Sequence, residues 1–100
     1  MTETSLEELR SRIEALDREI VSLIGRRCDL ALEVGRAKQK LGLPIMDPRQ
    51  EARVVRRAAE IARELDVDEE LTRDVIWRII AAARAVQAGH TSWGPPAESG

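Results

Sequence analysis

The sequence predicts an all-α fold from three observations. First, 43% of its 100 residues are hydrophobic, yet it has no Phe or Tyr and only two Trp. Second, the aliphatic residues recur at helical spacing, and no segment alternates as strands do. Third, turn signals at 41–47 and 66–68 separate three helical segments. We therefore expect one helical domain over residues 1–88 and a flexible tail over 89–100, which is rich in Pro, Gly and Ser.

The first helix is expected over about residues 5–41, with Ser5 as its N-cap. Alternating steps of three and four residues define what we call the apolar seam, a pattern of helices that pack on helices: Leu6, Leu9, Ile13, Leu16, Ile20, Leu23, Arg27, Leu30, Val34, Ala37 and Leu41. Arg27 is the exception in this seam, because a guanidinium keeps its proton and is costly to bury unpaired. It must meet a carboxylate of the protein or an anion from outside.

The length of this helix predicts a homodimer. About 36 residues span ~54 Å at a rise of 1.5 Å each. A compact globule of 100 residues is only roughly 34 Å across. One chain therefore cannot cover the whole apolar seam, and a second copy is expected to cover the remainder.

The second helix is expected over about residues 48–65. Asp47 is placed to cap it, Pro48 suits its first position, and Gln50 completes a capping box. Its apolar stripe contains Val54, Val55, Ala58, Ile61, Ala62 and Leu65.

The third helix is expected over about residues 69–88, with Asp68 as its N-cap. Its apolar stripe contains Val75, Ile76, Ile79, Ile80, Ala83 and Val86. Gly89 is expected to end it, and His90, the only histidine, then lies in the tail, where we expect no catalytic or ligand role.

Composition excludes several classes of function. A net charge of −2 and a pI near 5.5 argue against a nucleic-acid surface. The single cysteine, Cys28, cannot form an intramolecular disulfide and suits the cytoplasm. No apolar run has transmembrane length, so no membrane partner is expected. We find no metal, P-loop or nucleophile–base motif, and we expect no cofactor.

Four polar residues nevertheless fall on apolar stripes. Glu51 precedes Val55 by four residues, and Gln87 follows Ala83 by four. Lys38 follows Arg27 by eleven residues, close to three whole turns, so it shares the face of Arg27. Four such residues from three helices predict a polar pocket inside the bundle. The alternative is structural, with Arg27 and Glu51 simply forming an ion pair.

From about Leu6 to Gln87 the sequence resembles the small all-helical chorismate mutases. That resemblance rests on a set of residues in order: Arg10, Arg27 before "LALEVGRAK", Lys38, Asp47 with Glu51, and Gln87. It implies an intertwined homodimer of three-helix chains, and conversion of chorismate to prephenate in the shikimate pathway to the aromatic amino acids.

The resemblance also implies roles for these residues. Arg27 and Arg10 of the partner subunit would bind the two carboxylates of the small dianionic substrate. Lys38 and Gln87 would donate to its ether oxygen, and Glu51, with backbone near Asp47, would accept from its C4 hydroxyl.

Helix geometry explains why Arg10 must come from the partner. It lies 28 residues before Lys38, or ~42 Å along the axis. Two first helices packed antiparallel about residues 22–24 would bring Arg10 of one near Lys38 of the other. Each of two equivalent sites would then combine both chains.

The chain departs from the family pattern at two positions. Gln50 stands where many relatives have an arginine, with Arg49 one place earlier, and Ala83 stands where some have a serine. A mutase acting on 4-amino-4-deoxychorismate is therefore the main alternative, since a C4 ammonium favours one fewer cation. Weaker alternatives are an isochorismate-pyruvate lyase and a non-catalytic helical dimer that regulates or scaffolds a pathway-enzyme partner.

Overall fold

The computed structural model describes residues 5–87 as three helices: α1 (Leu6–Leu41), α2 (Pro48–Glu64) and α3 (Glu69–Gln87). Over these residues there is no strand. The predicted all-α, three-helix fold is therefore confirmed. α2 ends at Glu64, with Leu65 as its C-cap. Residue 88 of the expected third helix, Gly89, His90 and the expected tail lie outside the described residues.

Side-chain caps fix where each helix begins. Ser5 Oγ accepts from Glu8 N at 3.1 Å, Asp47 Oδ1 accepts from Gln50 N at 3.3 Å, and Asp68 Oδ2 accepts from Leu71 N at 2.8 Å. The expected capping box at α2 is incomplete, however, because Oε1 of Gln50 accepts from Arg53 at 3.1 Å. That oxygen therefore faces the exposed Arg53 and not the backbone N–H of Asp47, which a capping box requires.

Gly42 ends α1 in the left-handed conformation, with φ 70°. A residue without a Cβ adopts this conformation freely, so the chain reverses sharply here. The reversal brings the loop that holds Ile45 back beside the last turns of α1, where Lys38 donates to the Ile45 carbonyl.

The core is small and centres on α3, which packs against both α1 and α2. Its buried residues are Cys28 and Gly35 of α1, Ala59 and Ala62 of α2, and Ile80 and Ala83 of α3. Ala59 lies outside the stripe expected for α2, while Ile61 and Leu65 of that stripe are exposed. Burial raises the pKa of the Cys28 thiol, which favours the neutral form and suits a packing role.

The apolar seam of α1 is largely uncovered in a single chain. The radius of gyration is 17.3 Å and the longest dimension 62 Å, against ~13 Å for a compact chain of this length. Leu6 is 61% and Leu30 61% exposed, and eight further seam residues are exposed: Leu9, Ile13, Leu16, Ile20, Leu23, Val34, Ala37 and Leu41. No helix among the described residues is both long and apolar enough to cross a membrane.

Candidate active site

A cavity of about 340 Å³ opens where the second half of α1, the first turns of α2 and the end of α3 meet. Its walls mix aliphatic and polar side chains: Arg27, Leu30, Ala31, Val34, Lys38, Ile45, Gln50, Glu51, Val54, Ile80, Ala83, Arg84 and Gln87. All four polar residues found on apolar stripes line it. The helical spacing therefore placed them correctly at one cavity.

Glu51 is paired with Arg84, not with Arg27. Nη1 of Arg84 donates to Oε1 of Glu51 at 2.9 Å, and the two side chains are 26% and 13% exposed. A charge-assisted hydrogen bond of this length between half-buried groups joins the end of α3 to the start of α2. The structural alternative of an Arg27–Glu51 pair is thus wrong.

Sequence reasoning missed Arg84, although the signal was present. Arg84 follows Ile80 by four residues and precedes Gln87 by three, so it shares the apolar stripe of α3. The spacing test that selected Gln87 also selects Arg84.

Arg27 is half-buried in the cavity wall, and no hydrogen bond or ion pair joins it to another residue of the described chain. Together with Lys38 and Arg84 it gives the cavity three cationic side chains against one carboxylate, that of Glu51. The cavity is therefore cationic in a protein whose net charge is −2. Such a site favours a small anion over a neutral ligand.

Lys38 spans the cavity toward the α1–α2 loop. Its Nζ donates to the backbone carbonyl of Ile45 at 3.1 Å. An ammonium carries three donors, so the hydrogen bond to Ile45 fixes its position while two N–H groups stay available.

Gln87 is held against α1 by a hydrogen bond from its Nε2 to the backbone carbonyl of Ala31. The amide nitrogen carries a second hydrogen, so it can donate one further hydrogen bond. Gln87 also lies close to Gly35, where α1 has no side chain.

The other expected site residues lie at different distances from the cavity. Ala83 is buried in its wall and Gln50 is an exposed lining residue. Asp47 is half-buried beside it, as the cap of α2. Arg49 is exposed and does not line it. Arg10 is exposed on α1, 17 residues before Arg27, or ~26 Å along the helix.

One chain thus brings together Arg27, Lys38, Gln50, Glu51, Ala83 and Gln87, and leaves Arg10 apart. Within residues 5–87, no group of three or more His, Cys, Asp or Glu side chains is placed to hold a metal ion.

Comparison with known proteins links this arrangement to one family. Residues 9–88 match the family model described as chorismate mutase type II. The chain is 34% identical over 82 residues to the chorismate mutase of Methanocaldococcus jannaschii, covering 82% of this chain and 83% of that protein.

Two other kinds of relative also match. The T-protein of Haemophilus influenzae is 33% identical over 81% of this chain, which spans only 22% of that longer protein. The 4-amino-4-deoxychorismate mutase of Streptomyces venezuelae is 37% identical over 69% of this chain and 68% of its own length. The family match covers every residue of the cavity and Arg10 as well, and the chain belongs to the chorismate mutase type II family.

Proposed function

We propose that this protein is an isomerase that converts chorismate to prephenate. The observation that carries the proposal is the cavity itself: three cations and one carboxylate, in walls that are otherwise mainly aliphatic. Chorismate carries two carboxylates, an ether oxygen and a C4 hydroxyl, which is a good match to that set. Family membership supports the same reaction.

The rearrangement needs positioning and electrostatics rather than proton transfer. In one step the C–O bond of the enolpyruvyl ether breaks while a new C–C bond forms, and no atom enters or leaves. Negative charge grows on the ether oxygen as the C–O bond breaks. A site that holds the compact conformer and directs donors at that oxygen lowers the barrier.

Lys38 and Gln87 are the proposed donors to the ether oxygen. Each is held by one hydrogen bond to a backbone carbonyl, of Ile45 and of Ala31. Because both side chains are already fixed, little reorganisation is needed when charge develops. Removal of one preorganised donor of this kind costs roughly 10²–10³-fold in rate.

Arg27 is the proposed ligand of one substrate carboxylate. Its guanidinium presents a rigid fork that matches a carboxylate with two parallel hydrogen bonds. It also has no partner among the described residues, so the substrate would not have to break an existing ion pair. Glu51 would accept from the C4 hydroxyl, near the capped start of α2 at Asp47.

The second carboxylate of the substrate needs a further cation, and we assign that role to Arg10 of the partner subunit. Support comes from the uncovered apolar seam, which leaves Leu6 to Leu23 without a partner within the described chain. An antiparallel pairing of two α1 helices would cover it and bring the two ends together. We therefore propose an intertwined homodimer with two shared sites, located in the cytoplasm, where the buried Cys28 would stay reduced.

A second candidate substrate is 4-amino-4-deoxychorismate. Gln50 in place of an arginine favours it, because one cation fewer near C4 would suit an ammonium. The relative from Streptomyces venezuelae carries that substrate in its name.

The test is a substrate panel with the purified chain. Chorismate, 4-amino-4-deoxychorismate and isochorismate are each incubated with enzyme, and the products are separated by chromatography. The proposal expects prephenate from chorismate without added cofactor, at a higher kcat/KM than for the other two. A tenfold preference for the amino substrate would replace the proposed function. Pyruvate release from isochorismate alone would indicate a lyase, and no turnover of any substrate would favour a regulatory dimer.

A further inference from the structure

Arg84 is a cation of the cavity that the resemblance does not account for. It comes from α3, whereas the arginine expected near the C4 end of the substrate would come from α2, at the position of Gln50. Gln50 is exposed, and its amide oxygen already accepts from Arg53 at 3.1 Å. Glu51 is paired instead with Arg84, at 2.9 Å, where the end of α3 meets the start of α2.

The ion pair changes the charge that Glu51 presents, and Glu51 is the only carboxylate among the described residues that line the cavity. An unpaired Glu51 would be a negative centre that attracts a cation. With the guanidinium of Arg84 in contact, the pair is close to neutral. The carboxylate still has lone pairs with which to accept from a neutral hydroxyl.

An ammonium at C4 meets a different environment. It would have to approach a carboxylate whose charge is already matched, with a like charge a few ångströms away. It would also reduce the net charge of the ligand from −2 to −1 in a cavity whose lining carries a net +2, from Arg27, Lys38 and Arg84 against Glu51. Both effects favour the dianionic hydroxyl substrate.

We propose that Arg84, by pairing with Glu51, is a specificity-determining residue that selects a neutral hydroxyl over an ammonium at C4. This inference rests on the proposed function. The positive charge that disfavours a C4 ammonium would then come from Arg84 of α3, because the neutral Gln50 of α2 cannot supply it.

The experiment replaces the guanidinium by a neutral chain of similar length. Arg84→Met should raise the ratio of kcat/KM for 4-amino-4-deoxychorismate to that for chorismate at least tenfold. Arg84→Lys keeps the positive charge and should leave the ratio within about threefold of wild type. Arg78→Met is the matched control, since Arg78 is an exposed arginine of the same helix away from the cavity.

The outcomes separate the two proposals. A wild-type enzyme that acts on neither substrate contradicts the proposed function. If wild type converts chorismate but Arg84→Met lowers both activities equally, only the inference about Arg84 is wrong, and Arg84 is then a general anion ligand. Should Arg84→Met lose the helical fold, Arg84→Gln is measured in its place. Unfolding of both variants would contradict the inference by making the pair a structural support.

Discussion

Gly35 of α1 leaves the space that the side chain of Gln87 of α3 occupies. A Cβ at position 35 would lie 2.8 Å from Cγ, 3.2 Å from Cδ and 3.4 Å from Cβ of Gln87. The first of these distances is far inside van der Waals contact, so the two side chains cannot coexist without a shift. The absence of a side chain at 35 thus permits α1 and α3 to approach and lets Gln87 reach the carbonyl of Ala31.

Gly35→Ala should therefore lower activity through Gln87. The atoms in conflict are the inner part of the glutamine, so Gln87 must change rotamer or α3 must move. We expect kcat for chorismate to fall at least about tenfold, although alanine has the higher helix propensity by roughly 1 kcal/mol.

Gly25→Ala is the control for this substitution. Position 25 is two residues from both Leu23 and Arg27, hence on the opposite side of α1 from the apolar seam. A Cβ there meets nothing within 4 Å in the chain. Steady-state kinetics should show wild-type activity for Gly25→Ala, and equal loss in both variants would contradict the steric explanation.

Arg27→Ala should lower activity strongly while leaving stability almost unchanged. The guanidinium has no ion pair among the described residues, so its removal leaves no orphaned carboxylate. We expect kcat/KM to fall at least about 100-fold, as for loss of one partner of a desolvated charge pair. The free energy of unfolding should change by less than about 1 kcal/mol.

The neighbouring exposed Arg26 provides the matched control, and Arg26→Ala should retain activity. For both variants, urea unfolding measures the free energy of unfolding and steady-state kinetics measures kcat/KM. Severe destabilisation by Arg27→Ala, with activity lost in proportion, would make Arg27 a structural residue.

The sequence predicted the helices well because their signals are local. The caps at Ser5, Asp47 and Asp68 and the turn at Gly42 depend only on neighbours in the chain, and all four lie where expected. The same period of 3.6 residues placed Arg27, Lys38, Glu51 and Gln87 at one cavity. Periodicity states which face a residue occupies.

Helical periodicity does not predict which residue of a neighbouring helix will contact a given residue. The choice between Arg27 and Arg84 as partner of Glu51 depends on how α3 is rotated and shifted against α1 and α2. Similarly, burial of Ala59 in place of Ile61 reflects close approach of α2 and α3, which small side chains permit. Both depend on how the helices pack together, which the apolar stripe of one helix does not predict.

The ion pair between Arg63, near the end of α2, and Glu69, at the start of α3, should make a pH-dependent contribution to stability. Arg63 donates from Nε at 3.2 Å and from Nη2 at 2.9 Å to the carboxylate of Glu69. These hydrogen bonds hold the pKa of Glu69 below its ordinary value of 4.5. A lowered pKa in the folded state means that the pair stabilises the fold above the unfolded-state pKa and that this contribution is lost as pH falls through the folded-state pKa.

Glu69→Gln should accordingly lower the Tm at pH 7, and the difference from wild type should shrink as the pH is lowered below 4.5. Glu70→Gln is the control, since Glu70 is an exposed carboxylate in the same first turn of α3. Circular dichroism melts across this pH range provide the measurement. A Tm difference for Glu69→Gln that is the same at pH 7 and in acid would contradict the ion-pair explanation.

The exposed apolar seam predicts a dimer at low protein concentration. Burial of apolar side chains contributes roughly 25 cal/mol per Å², and most seam residues are about half exposed or more in one chain. Sedimentation equilibrium should report twice the monomer mass of 11.2 kDa. Replacing Leu16 or Ile20 by Glu on this seam should shift the equilibrium toward monomer, whereas a wild-type monomer with undiminished helicity would contradict the prediction.

Complementation between two inactive chains tests the shared site most directly. Arg10→Ala and Lys38→Ala should each be nearly inactive, because each homodimer lacks one group at both sites. A mixed dimer has one site that lacks both groups and one in which both are intact. Equal amounts that exchange at random should recover up to about a quarter of wild-type chorismate mutase activity. No recovery, once mixed dimers have been verified by mass, would contradict a site built from both subunits.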